Sequence, residues 1–270
     1  MAEHGTVLGL VGSPNRDGRT FRMVAAALEG AAKAGAPVEL IQMADHVVDA
    51  CQDCLPWTCK DSLACAFPDP AFELVSGTLL RCGALVLGSP IYWWDTSAMV
   101  RLLLLKMFRV YARSGPLAGL PAAGIGIAGG TGNGLVSGLR PLYHFFQVMQ
   151  MRALEPLPVT RFNWEPALAE ARALGARLAP LAKARQPFGG VEERLLWYDA
   201  LPYLGLTRAA ERRLLASLTT AALPTDADPA IPRGLAEADA LAARGKSLES
   251  LQLLTRTYTA GVAAFETAQG

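Results

Sequence analysis

The stretch Thr6-Val-Leu-Gly-Leu-Val-Gly-Ser-Pro-Asn-Arg-Asp-Gly-Arg-Thr20 decides the fold. Residues 6–11 are a short, uninterrupted apolar run, residues 12–20 are a turn rich in hydroxyl, amide and guanidinium donors, and a helical pattern follows to about Lys33. Continuous apolarity over so few residues is expected of a strand covered on both faces, and a strand feeding a helix through such a turn opens a parallel α/β unit. The pattern recurs downstream. Residues 37–42, 83–88 and 121–128 read as further strands, with a fifth over 153–160. Helices are expected over 97–110 with Thr96 or Ser97 as cap, from Leu135 or Pro141 onward, and over 165–184. Right-handed crossovers between such elements give a doubly wound, five-stranded parallel sheet.

Composition narrows the possibilities. Twenty-five Lys and Arg oppose 24 Asp and Glu, a net charge of +1, so no nucleic-acid or anionic-membrane partner is expected. Hydrophobic residues make up 51% and charged residues 18%, enough to bury a large core and unlike a disordered chain. The apolar run 6–11 stops at Gly12-Ser13-Pro14, and residues 98–108 are interrupted by Arg101 and Lys106. Neither has the length of a signal segment or a membrane span, and a soluble, cytoplasmic protein is expected. The α/β pattern occupies residues 1–184. Residues 186–190, Gln-Pro-Phe-Gly-Gly, break it, and residues 185–270 read as helices joined by a Pro-, Asp- and Ala-rich loop at 223–232. This tail holds no His or Cys, so it is expected to be a cap or dimerisation element.

Three segments carry chemistry, each at the carboxyl end of a predicted strand, where open parallel sheets bind ligands. The first, residues 12–20, precedes a helix whose free N–H groups favour an anion and reads as a phosphate cradle. It is not a nucleoside-triphosphatase loop: five residues separate Gly12 from Gly18, and Arg19 stands where that motif requires Lys. The second, Gly88-Ser-Pro-Ile-Tyr-Trp-Trp-Asp95, offers aromatic side chains and backbone donors to a planar ligand. The third, Gly129-Gly-Thr-Gly-Asn-Gly134, lets backbone approach a ligand closely. Between the second and third strands lie Cys51, Cys54, Cys59 and Cys65, a set that suits an iron–sulfur cluster or zinc, and equally free thiols or a redox disulfide. Cys82, alone in apolar surroundings, reads as core.

In order and spacing, the three loops and the cysteine cluster together resemble the flavodoxin-like NAD(P)H-dependent FMN reductases, specifically their iron–sulfur flavoprotein branch, over roughly residues 5–160. The resemblance implies a flavodoxin-like, FMN-binding domain over residues 1–184. It places the phosphate on Ser13, Asn15, Arg16, Arg19 and Thr20, with Pro90, Ile91, Tyr92 and Trp93 along the isoalloxazine. Gly129, Gly130, Thr131, Gly132 and Asn133 would lie on its other side. Where the family commonly reads G-S-P-R-x-x-G-N-T, this chain has Asn15 for Arg and Arg19 for Asn, with cationic content kept by Arg16 and Arg19. Trp94, at a position more often small in the family, either narrows the substrate face or packs in a dimer interface. The branch holds a [4Fe–4S] cluster with C-x2-C-x2-C-x4–7-C; here the spacing is C-x2-C-x4-C-x5-C, and Trp57 sits where the third cysteine is expected.

The function implied is an NAD(P)H-linked oxidoreductase passing electrons through FMN, and through a cluster if one is bound, to a small molecule or a redox partner protein. Two other readings stand beside it: a biosynthetic dehydrogenase of a specific organic substrate, with Trp197, Tyr198 and Tyr203 of the tail as a lid over the ring, and an electron-carrier module without turnover. No catalytic side chain is assigned. His4 and His46 belong to no motif, and His144, beside Tyr143 and near the third loop, is a candidate for substrate contact. A homodimer or homotetramer is expected from the apolar helix 98–108 and the Trp93-Trp94 pair.

Overall fold

The structure, a computed structural model, describes residues 5–269; His4 lies outside the described residues. In chain order the α/β part is β1 (Val7–Val11), α1 (Arg19–Lys33), β2 (Val38–Gln42), α2 (Cys59–Ser62), α3 (Pro70–Arg81), β3 (Ala84–Tyr92), β4 (Asp95–Thr96) and α4 (Ala98–Tyr111). It continues with β5 (Pro121–Ala128), α5 (Leu135–Val148), β6 (Arg152–Ala153), β7 (Leu157–Thr160) and α6 (Trp164–Leu181). The extension holds α7 (Val191–Asp199), α8 (Arg208–Ala221), α9 (Ala230–Ala243) and α10 (Ser247–Gln269).

The sheet runs β2-β1-β3-β5, all parallel, with β6 and β7 together as the fifth strand. The expected strand 153–160 is thus split. Leu154 N still bonds Ala122 O, but Pro156 has no N–H to give the ladder, and pairing resumes at Leu157. β3 extends to Tyr92, four residues past the expected end, because residues 91 and 92 fold back in a hairpin onto β4.

One face of the sheet is covered by α1 and α6 and the other by α3, α4 and α5, the two-sided cover that the apolar strands require. Helix α1 turns Met23, Val24, Ala27, Leu28 and Ala31 inward, and its backbone meets that of α6 closely: a Cβ on Gly175 would lie 1.7 Å from Ala27 O. Helix α3 begins where Asp69 accepts a hydrogen bond from Phe72 N and Pro70 takes the first helical position. Ser97 caps α4 by accepting from Val100 N, so of the two expected caps the serine serves. Cys82 is buried, and its thiol is pushed up to about 12 by that burial.

The extension first docks at the amino end of the sheet. Trp197 Nε1 donates to Ala153 O at 2.8 Å and Tyr198 OH to Met151 O at 2.8 Å. The chain then climbs along α5, where Arg140 donates to Leu204 O and Leu206 O, and reaches the carboxyl end as α8. There Leu215, Ala216, Ala238, Leu254 and Tyr258 form a core with Ile91, Ala128, Leu135 and Phe162 of the α/β part.

Candidate functional site

The crevice between β1 and β3 is the point where strand order reverses. Gly12 N donates to Gly88 O at 2.8 Å and Ser97 Oγ donates to Gly12 O at 2.6 Å, which ties the first loop to β3 and α4. A Cβ on Gly12 would fall 2.1 Å from Val100 Cγ2, so this approach needs glycine. Beyond it Ser13 is buried, with Oγ accepting from Asn15 N at 3.2 Å, and Gln42 Nε2 donates to Ser13 O at 2.6 Å. Gln42 Oε1 is left buried without a partner. Asn15 Oδ1 accepts from Asp17 N, so this side chain shapes the turn. The loop delivers the chain to an amino end of α1 that has no side-chain cap and no acidic residue in its first turn, leaving helix N–H groups and the positive dipole end for an anion. Arg19 is exposed there, with no carboxylate partner among the described residues. Arg16 is already paired with Asp45, Nε to Oδ1 at 2.9 Å. Thr20 is buried, its methyl group beneath Gly88.

In the second segment, Ile91 pairs with Thr96 and Tyr92 with Asp95, leaving Trp93 (φ 53°) and Trp94 (φ 60°) as a two-residue turn. Both are left-handed, the backbone of the primed hairpin turns usually built from Asn and Gly. Left-handed backbone at a side-chain-bearing residue costs about 1–2 kcal/mol, so the hairpin holds strain where ligand chemistry was expected. Arg101 grips the Asp95 carboxylate, Nη2 to Oδ2 at 2.8 Å, and Ser89 Oγ accepts from Thr96 Oγ1 and from Ser97 N. Pro90 is buried in the strand, and Ile91 points inward against Gly126 and Gly138, so these two residues offer the crevice backbone alone. Tyr92 and Trp93 are 53% and 88% exposed. Trp94, 55% exposed, lies with part of its ring against Gly134 of the third segment.

Gly129 and Gly130 are exposed, and a Cβ on either would meet nothing within 4 Å, an open cradle beside the crevice. Asn133 Nδ2 donates to Thr131 Oγ1 at 2.9 Å, and Gly134 at φ 82° turns the chain into α5. The extension clamps this segment. Tyr258 OH donates to Thr131 O, Glu211 Oε1 accepts from Val136 N at 3.2 Å, and Leu215 packs on Gly132. Burial holds the Tyr258 phenol above its ordinary value, so it is the neutral donor this bond requires. Trp94, Asn133, Gly134, Ser137, Arg208, Glu211, Arg212 and Leu215 together enclose a cavity of about 430 Å³.

The four clustered cysteines are free thiols, all half-buried, and all line a single cavity of about 290 Å³. They surround this space without converging on one point: no three His, Cys, Asp or Glu side chains among the described residues are gathered as ligands of a single metal ion. Trp57, which stands in place of a third cysteine, donates from Nε1 to Arg109 O at 2.6 Å and lies under the Arg109 guanidinium, fixing the loop to α4. Arg109 pairs with Asp53 at 3.0 Å, and Cys59 Sγ lies 3.4 Å from Arg109 O. Lys106 and Arg109 also line the cavity, each already paired with a carboxylate, Asp69 and Asp53 respectively.

Two expectations are corrected. The aromatic residues Trp197 and Tyr198 do not cover the ring site, because their bonds to Ala153 and Met151 hold them at the opposite end of the sheet. Helices α8 and α10 lie instead against the third segment and the start of α5. His144 faces a groove between α4 and α5 with Arg101, Leu105 and Val148, away from the third segment. Sequence reasoning missed Glu211, Arg212 and Tyr258. No local motif marks them, since only the path of the chain along α5 brings them to the site.

Residues 6–159 match the family model of NADPH-dependent FMN reductases. An iron-sulfur flavoprotein of Methanocaldococcus jannaschii is 32% identical over 98 residues, 36% of this chain and 49% of that protein, so the match spans about half of the relative's length. Among solved structures, a flavone reductase superposes with a TM-score of 0.53 at 16% identity, covering 70% of this chain and 69% of that one. RosB with bound 8-demethyl-8-formylriboflavin-5'-phosphate does so with a TM-score of 0.53 at 13% identity, covering 71% and 84%. At these identities the likeness is one of fold. Among the described residues no helix is long and apolar enough to cross a membrane.

Proposed function

The chain belongs to the NADPH-dependent FMN reductase family, and from that premise we propose that residues 1–184 hold FMN across the three loops while residues 185–270 cap the site. The observation that carries this reading is the arrangement around the β1–β3 crevice: an uncapped helix end beside a buried Ser13, and an open glycine cradle facing it from β5. Ser13, Thr20 and the α1 N–H groups take the phosphate, with Arg19 as its counter-charge. Backbone of residues 89–92 and 129–130 lines the ring, with Tyr92 and Trp93 at its exposed edge. Bound there, FMN supplies hydride exchange with the nicotinamide and transfer of electrons singly or in pairs. The chain's part is position and solvent exclusion. Asp95 is committed to Arg101, so the accompanying proton is taken from water.

Cys51, Cys54, Cys59 and Cys65 are proposed as ligands of a [4Fe–4S] cluster. Supporting this are the single cavity they share and the partial match to an iron-sulfur flavoprotein. A zinc ion would need all four sulfurs about 2.3 Å from one point, whereas a cluster takes each thiolate on a separate iron. Anaerobic purification with iron and acid-labile sulfide assays, and visible spectra before and after NADPH, test both parts. Bleaching of the flavin bands by NADPH together with stoichiometric sulfide is expected. Zinc without sulfide overturns the cluster, and flavin bands that NADPH leaves unchanged overturn the NAD(P)H-linked reading.

A homodimer is proposed on the outer face of α4 and α5, where Leu105, Phe108 and Val148 are 49%, 38% and 44% exposed around one groove. A monomeric mass by light scattering at micromolar concentration contradicts it.

A further inference from the structure

The cavity between the third loop and α8 shares residues with two of the loops assigned to FMN. Trp94 comes from the strained hairpin, Asn133 and Gly134 from the glycine loop, Ser137 from the first turn of α5, and Arg208, Glu211, Arg212 and Leu215 from one face of α8. Arg208 and Arg212 stand four residues apart on that helix, a like-charge pair that destabilises an isolated helix. Neither has a carboxylate partner among the described residues, although their neighbour Arg213 pairs with Asp239 at 2.7 Å. Arg212 is held in place by stacking over the Tyr258 ring at 4.5 Å. The carboxylate of Glu211, in the same wall, is buried and turned to Val136 N at the amino end of α5. Through Oε1 it caps that helix, and it forms no ion pair with either guanidinium group. The cavity is therefore lined by the Trp94 indole, by Ser137 and by two guanidinium groups without carboxylate partners among the described residues, of which Arg212 is held by its stacking on Tyr258.

We propose that this cavity binds the organic substrate of the site and that its ligand is an aromatic carboxylate, ring against Trp94 and carboxylate toward Arg208 and Arg212. A guanidinium pairs a carboxylate through two parallel hydrogen bonds, and an indole face takes a planar ring, so both halves of such a molecule are recognised. A volume of about 430 Å³ is within the usual range for small-molecule sites. The assignment of this ligand as substrate rests on the flavin reading above; the cavity's preference for an aromatic carboxylate does not.

Calorimetric titration of the FMN-loaded protein with naphthalene-2-carboxylate and with the neutral naphthalene-2-methanol tests it, in wild type and in the Arg208→Ala/Arg212→Ala variant. The wild type is expected to bind the carboxylate at least about tenfold more tightly than the alcohol, and the double variant to bind both alike. Trp94→Ala is expected to weaken both probes together. Equal binding of the two probes by the wild type, or a preference that survives loss of both arginines, overturns the proposal. Adenosine 2′,5′-bisphosphate displacing the carboxylate through the same arginines also overturns it, by assigning the cavity to the nicotinamide dinucleotide. A separate flavin-fluorescence titration distinguishes the two readings. Carboxylate preference without FMN binding removes the flavin and keeps the cavity, whereas FMN binding without that preference removes the cavity alone.

Discussion

The phenol of Tyr258, on the last helix, donates its hydrogen bond to the backbone carbonyl of Thr131 in the glycine loop at the end of β5. A separation of 127 residues in sequence is closed at the point where the loop faces the crevice. The extension therefore bears on the geometry of the loop proposed to line the flavin. Replacing Tyr258 by Phe keeps the ring beneath Arg212 and removes only the hydroxyl. The expected cost is about 0.5–1.5 kcal/mol in stability, with FMN affinity falling several-fold as the loop loosens. Thermal unfolding and flavin-fluorescence titration measure the two, and unchanged FMN affinity would show that the clamp does not act on the site.

Gly129 separates space for a ligand from space for the fold. Its backbone is not left-handed, and a Cβ there meets no protein atom within 4 Å. Gly129→Ala is therefore expected to leave the apo stability within about 0.5 kcal/mol of wild type while weakening FMN binding by at least several-fold. Gly12→Ala provides the contrast. Its Cβ clashes with Val100 and Gly88, so stability falls by about 1–3 kcal/mol with or without FMN. Parallel apo unfolding and FMN titrations of the two variants read this difference.

Trp93 holds a left-handed backbone while 88% exposed, so the fold gains little from its ring. Trp93→Gly is expected to raise stability by about 0.5–1 kcal/mol by relieving the turn, and to lower turnover by removing the aromatic edge. A variant both less stable and fully active would mean the indole packs for structure.

Lys106 and Asp69 form an ion pair in which each side chain is 3% exposed. Burial works against the Asp69 charge, but bonds from Lys106 and from the Phe72 and Asp49 N–H groups prevail, and its carboxyl lies below the ordinary 3.8. A folded value below the unfolded one adds stability that is complete above about pH 3.8 and is lost as pH falls through the folded value. Lys106→Met leaves the carboxylate buried and unpaired, with an expected cost of about 3–5 kcal/mol and a loosened start to the cysteine loop through Asp49. Denaturant unfolding at neutral and acid pH, for wild type and variant, checks both statements. A variant within about 0.5 kcal/mol of wild type at neutral pH contradicts the first.

Cys54→Ser is expected to abolish bound iron and acid-labile sulfide while leaving the flavin spectrum in place, since the cysteine cavity and the β1–β3 crevice share no lining residue. Iron content equal to wild type would exclude Cys54 as an essential ligand.

Much of this architecture was legible because its determinants are local. The apolar runs at Val7–Val11 and Pro121–Ala128 can be buried only in a two-sided sheet, and the Gly-Ser-Pro and glycine-rich turns sit at strand ends where ring and phosphate sites form. The hairpin at Trp93-Trp94 has no sequence signal, because bulky residues are poor candidates for left-handed backbone, and the apolar run alone ends the expected strand at Gly88. The clamp by Glu211 and Tyr258 has no local signature at all. An acidic and a tyrosyl residue on amphipathic helices look like any other until Arg140 and α5 guide the chain to the far end of the sheet. The aromatic residues Trp197, Tyr198 and Tyr203 are the more conspicuous candidates for a lid in the dehydrogenase reading, yet Trp197 and Tyr198 serve packing at the amino end.

The most direct test of the central claim is the ratio of affinities for FMN and riboflavin, measured by quenching of flavin fluorescence. The two ligands share the ring and ribityl chain and differ only in the phosphate assigned to Ser13, Thr20, Arg19 and the amino end of α1. Charge-assisted hydrogen bonds of about 1.5–3 kcal/mol each predict that FMN binds at least about a hundredfold more tightly, with much of that advantage lost in Arg19→Ala. Equal affinity for the two flavins, or binding of neither, would contradict the account.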